Sequence, residues 1–131
     1  MKGETAIWIE YAEENLKSAR LLLEAGYLNT CLQNIQQSIE KYIKALIVEK
    51  SGTLKKTHSV NDLKLILNDL NIVFILSDEE IELIDSIYLP SKYPLGNVLP
   101  DGYPDPDICL RCIVISESVR DIVLGHLNKT C

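Results

Sequence analysis

Gln36-Gln37-Ser38-Ile39-Glu40-Lys41-Tyr42-Ile43-Lys44-Ala45-Leu46 decides the fold class of this chain. Apolar side chains at Ile35, Ile39, Tyr42 or Ile43, and Leu46 recur at three- and four-residue steps. A helix gathers that spacing on one side, whereas a strand would scatter it over both faces. Followed backwards, the stripe continues through Leu32 and Leu28; followed forwards, it reaches Lys50 and a stop at Gly52. A helix over 28–50 would be about 35 Å long, enough to serve as the backbone of a bundle. Gln37, Lys41 and Lys44 stand at i, i+4 and i+7 and share the face opposite the apolar stripe.

The same logic extends to the flanks. Trp8, Ala12, Leu16, Ala19 and Leu23 predict a helix from about Thr5 to Ala25, closed by Gly26. Ser59-Val60-Asn61-Asp62 is a capping pattern that opens a third helix, with Leu63, Ile66, Leu67 and Leu70 facing inward. The run Ile72–Leu76 reads as a buried connector or a fraying helix end that must be covered. Ser77-Asp78-Glu79-Glu80 caps a short fourth helix reaching Tyr88, and its acids favour the helix dipole. All five prolines lie between Pro90 and Pro106, predicting one long irregular loop. Asp105-Pro106-Asp107 then starts a fifth helix, with Asp as N-cap and Pro at the first helical position. Its inward stripe is Ile108, Cys112, Ile115, Val119 and Ile122, yet Leu110, Ile113, Val114 and Leu124 point elsewhere. A helix apolar nearly all round is either central or an interface, and a subunit interface is the expectation here. The fold class is therefore all-α, an antiparallel up-and-down bundle of about five helices forming a single domain over 1–131.

Composition narrows the function. The chain of 131 residues has 47% apolar and 24% charged residues, ordinary values for a globular domain. A net charge of −6 argues against a nucleic-acid coat, so no DNA is expected, and against an anionic-membrane binder. The charge is uneven: residues 41–64 carry a local balance of +4, with six lysines against Glu49 and Asp62. Residues 78–107 carry eight acids against Lys92 alone. One basic zone in an acidic protein suits a small anionic ligand better than a long polyanion. No apolar run has the length a membrane helix needs, and the start lacks a secretory segment, so a cytoplasmic location is expected. The cysteines at 31, 109, 112 and 131 hold only one short-spaced pair, which predicts buried free thiols and no metal site. No cofactor is expected.

Three places carry candidate chemistry. Gln37, Lys41 and Lys44 form either a solvated helix face or a polar ridge whose ammonium groups meet phosphate. Glu40 and Lys44 also stand at the spacing of a plain ion pair. His58 precedes the cap of the third helix, where backbone N–H groups and the dipole attract anions, and Lys55 and Lys56 raise the local potential. Lys92-Tyr93-Pro94 opens the loop; Tyr93 is either a packed anchor or a ring that stacks on a base while Lys92 meets a phosphate.

Taken in order, the Gln-Gln-x-x-Glu-Lys-x-x-Lys-Ala-Leu run at 36–46, Thr57-His58-Ser59 and the Tyr93-Pro94 turn resemble the HEPN domain family, helical bundles proposed to bind nucleotides. The resemblance runs from Trp8 to the end of the fifth helix. It implies a homodimer, built here on the helix 5 face, that acts as a non-catalytic accessory to a minimal nucleotidyltransferase, in a toxin–antitoxin-like arrangement. Gln37, Lys41, Lys44, His58, Lys92 and Tyr93 would form the ligand site. The family often has arginine before the Tyr-Pro, where this chain has Lys92 and so lacks a bidentate fork. Arg120 and His126 also fit the spacing of HEPN ribonucleases, which pair an arginine and a histidine across a dimer to cleave RNA. That fit is formal: six helical positions set the two side chains roughly 120° apart. A pure protein-interaction module with no small-molecule ligand is the remaining alternative.

Overall fold

The computed structural model describes residues 1–54, 56–92 and 104–128, with side chains outside 88–92. It contains α1 (Gly3–Ala25), α2 (Leu28–Ser51), α3 (Val60–Asp69), α4 (Asp78–Lys92) and α5 (Pro106–Asn128), and no strand among the described residues. The chain is an all-α helical bundle.

Glycine and asparagine end three of these helices in the left-handed region, where side chains with a Cβ meet a steric penalty. Gly26 (φ 83°) closes α1: its N–H meets the Leu23 carbonyl and the Tyr27 N–H meets that of Leu22, a Schellman turn. Gly52 (φ 74°) ends α2 through a single bond to the Val48 carbonyl. Asn71 (φ 61°) ends α3 in a second Schellman turn, with the Ile72 N–H on the Leu67 carbonyl. The segment 72–76 is therefore an irregular connector rather than a frayed helix. It alternates: Ile72, Phe74 and Leu76 are buried, whereas Val73 and Ile75 are exposed. The sequence expectation that the whole run is covered fails for those two.

Capping chemistry opens the other helices. Ser77 and Glu80 exchange backbone-to-side-chain bonds of 3.0 Å each, a complete capping box. Asp105 Oδ1 accepts the Ile108 N–H at 2.8 Å, with Pro106 at the first helical position. At its far end α4 continues through Pro90 to Lys92, so the predicted loop begins later than expected. A proline in a last turn forfeits one backbone N–H, yet its fixed φ remains helical.

The central helix is α2, not α5. It packs against all four others, while α1 also meets α5 and α3 meets α4. From Tyr42 to Val48 every residue of α2 is buried. α1 runs antiparallel to it: Glu49 near the end of α2 accepts from the Lys2 backbone and the Thr5 hydroxyl at the start of α1, each at 2.9 Å. α5 lies along α2 in the same sense. Cys109 donates to the Leu28 carbonyl, and one buried hydroxyl pair, Ser38 with Ser116 at 2.6 Å, lets the two helices approach closely. α5 turns Cys109, Cys112, Ser116, Val119, Val123 and Leu127 inward. Ile115 is buried as its stripe predicted, and Ile113, expected to point elsewhere, is buried too. Ile108 and Ile122 are only partly buried, and Leu110 and Val114 face outward. No helix among the described residues is long and apolar enough to cross a membrane.

Candidate functional site

The polar face of α2 is not a solvated ridge. Lys44 is 6% exposed and Glu40 7%, because the start of α1 and the α2–α3 connector close over them. Burying charge is tolerated only where every ionised group finds partners. Glu40 supplies them. One carboxylate oxygen accepts from Lys44 Nζ at 2.5 Å and faces His58 Nδ1 at 2.9 Å. The other accepts from Gln36 Nε2 at 3.1 Å, and that amide also donates to the His58 carbonyl at 3.3 Å. A ring nitrogen facing a carboxylate carries the proton, so Glu40 fixes the histidine tautomer as well as its position.

Around this hub lies a cleft of about 340 Å³ lined by Trp8, Gln36, Gln37, Glu40, Lys41, Lys44 and His58. Lys44 Nζ sits 5.9 Å from the centroid of the Trp8 ring, within cation–π range. Lys41 differs from Lys44 in its partners. Its ammonium is held by neutral amide oxygens, Asn15 Oδ1 at 2.7 Å and Gln37 Oε1 at 3.5 Å. Burial lowers its pKa below the ordinary lysine value, partly countered by the carboxylates of Glu40 and Glu14. It stands between this cleft and a neighbouring one of about 300 Å³ that includes Tyr11, Asn15 and Asn34.

Four of the six residues singled out from sequence, Gln37, Lys41, Lys44 and His58, thus line one cleft. His58 is not aimed at an anion on the α3 N-terminus. That end is occupied by the protein's own carboxylate: Asp85 of α4 accepts from the Val60 N–H at 2.7 Å, and from the Asn61 N–H and Ser59 hydroxyl at 3.1 Å. Lys92 ends α4, its side chain outside the described set, and Tyr93 lies outside the described residues.

Arg120 and His126 do not meet within the chain. Arg120 pairs with Asp121 at 3.1 Å and lines a cleft between α1, α2 and α5, of which His126 is not a lining residue. Cys31, Cys109 and Cys112 are buried free thiols.

Sequence reasoning missed Trp8, assigned to the core stripe, and underused Gln36 and Glu40. The signal for the latter two was present: they stand at i and i+4, a turn apart on the same helix face as Lys44.

The model of the HEPN domain family matches residues 5–127, nearly the whole chain. The chain belongs to the HEPN domain family. Two solved structures share the HEPN domain's fold. TT1696 from Thermus thermophilus is 24% identical with a TM-score of 0.77, covering 95% of this chain and 98% of that one. ST0689, an archaeal HEPN homologue, is 26% identical with a TM-score of 0.70, covering 96% and 98%. A comparison with curated proteins found no match.

Proposed function

We propose that this HEPN domain binds a nucleotide or similar anionic ligand in the cleft between α1, α2 and the α2–α3 connector. On this reading it is a non-catalytic, cytoplasmic accessory to a minimal nucleotidyltransferase, in a toxin–antitoxin-like pair, and works as a homodimer. The observation that carries the reading is Lys41: a half-buried ammonium held by neutral oxygens in a chain of net charge −6. Lys44 adds a second positive charge that Glu40 offsets, so the cleft suits one phosphate rather than several. Gln37 offers an amide to a base or a phosphate oxygen, and the Trp8 indole gives a flat wall. A larger cleft, about 460 Å³ between α3 and α4, is lined by Asp78, Glu82 and Asp85, whose charge repels an anion.

Thermal-shift measurements with millimolar AMP, ATP, GTP and inorganic phosphate test this. A ligand at about 100 times its dissociation constant adds roughly 2.7 kcal/mol, a rise of several degrees for a domain this size. Lys41→Ala is expected to remove most of the rise that a nucleotide adds beyond that of inorganic phosphate, while leaving the fold intact. No rise with any nucleotide ends the proposal and favours a pure protein-interaction module.

A further inference from the structure

Tyr42 lies in the middle of α2 with its side chain fully buried, and its hydroxyl has no hydrogen-bond partner among the described residues. A buried hydroxyl left unpaired costs about 1–3 kcal/mol, and native proteins rarely leave one so. Two residues from Lys44, Tyr42 points roughly 200° around α2 from it, away from the Lys41 cleft. It lines a separate cleft of about 300 Å³, together with Lys17 and Arg20 from α1, Arg120 from α5 and the acid Glu13. Glu117 and Asp121 lie beside it, paired to the two arginines. Leu16 and Leu124 supply the apolar walls. Burial pushes the phenol up to about 12, so it is a donor at neutral pH, and the charges of Glu13, Arg120, Arg20 and Asp121 all reach it.

Each arginine is committed through one nitrogen. Arg20 Nη2 meets Glu117 at 2.7 Å, and Arg120 uses Nε for Asp121. The remaining donors of both guanidinium forks are available, and that planar geometry matches a tetrahedral oxyanion. We propose that Tyr42, Arg20 and Arg120 form a second anion site, separate from the Lys41 cleft, which takes one small oxyanion: free phosphate or the phosphate of a monoester. A small movement of the rim side chains lets the Tyr42 hydroxyl, closed off from water as the cleft stands, donate to one oxygen while the two arginines, from helices on either side, hold the others. Glu13 on the same rim disfavours a second phosphate, so pyrophosphate binds more weakly than phosphate.

The test is calorimetric titration of the full chain with inorganic phosphate, glucose 6-phosphate and pyrophosphate. Parent protein, Tyr42→Phe, Arg120→Gln and Lys41→Ala are compared. Phosphate is expected to bind the parent and Lys41→Ala alike, and to lose roughly ten- to a hundredfold in affinity with Tyr42→Phe, the worth of one bond to a charged acceptor. Arg120→Gln is expected to lose at least as much. Preference for glucose 6-phosphate over phosphate would assign the monoester as the ligand; the reverse would assign the free ion. In phosphate-free buffer Tyr42→Phe is expected to melt no lower than the parent, because it removes only an unpaired hydroxyl. A clearly lower melting point would mean that the hydroxyl already has a partner, and would overturn the proposal. So would unchanged phosphate affinity in Tyr42→Phe, absence of phosphate binding to the parent, or loss of phosphate binding in Lys41→Ala.

Discussion

Glu40 shows how much one side chain organises here. Its two oxygens meet Lys44, His58 and Gln36, and it has almost no contact with water. Glu40→Ala leaves the Lys44 ammonium buried without its counter-charge, which is expected to cost about 3–5 kcal/mol in urea unfolding. The double variant Glu40→Leu, Lys44→Met removes both charges and is expected to recover most of that loss. If the single variant unfolds at the parent's midpoint, the pair is not structural. Lys41 makes a different prediction because burial lowers its pKa. A lysine with a lowered folded pKa keeps its charge only below that value. Anion affinity should therefore fall as pH rises through a point below the ordinary lysine range. The unfolded chain holds the same proton more tightly, so this group opposes folding at neutral pH and stops doing so once the unfolded lysine also deprotonates. Lys41→Arg keeps its charge and is expected to move the fall in affinity to higher pH, read from AMP titrations across an alkaline series. These contacts were half legible: the spacing of Gln36, Glu40 and Lys44 is visible in the sequence, but that a connector closes over them is not.

At the scale of the element, sequence signals worked best where the chemistry is local. The Ser77 box, the Asp105 cap and the stops at Gly26 and Gly52 each involve groups within five residues, so their residue types declare them. Asp85 is the counter-case. It caps α3 from α4, some 25 positions away, and no pattern in either segment announces it. Gly125 offers a direct test of helix energetics. It sits inside α5 with helical backbone, and a Cβ built there meets nothing within 4 Å. Gly125→Ala is expected to stabilise the protein by about 0.5–1 kcal/mol, raising the melting point by a few degrees. A fall instead would mean that this stretch of α5 is covered by something outside the chain.

Viewed as a whole, the molecule leaves Leu110 and Val114 exposed at 51% and 58% on α5, the face proposed for the homodimer. Val114→Asp is expected to shift the protein from dimer to monomer in sedimentation velocity with its helicity unchanged. A parent that already sediments as a monomer would end the dimer proposal. The sequence by itself determined the all-α class, five helices and most of their ends, because periodicity and capping act over one or two turns. It also placed Gln37, Lys41 and Lys44 on one face, since helix geometry alone does that. Tertiary structure decided the rest. Spacing gives the direction a side chain leaves its helix but not what packs over it. The sequence already marked α2 as the backbone of the bundle, but that α1, α3, α4 and α5 all pack on it is a tertiary fact. For the same reason Lys44 is buried, Trp8 walls a cleft, and the α3 N-terminus holds Asp85 instead of a ligand. Burial of polar groups is a property of several elements meeting, and no single segment encodes it.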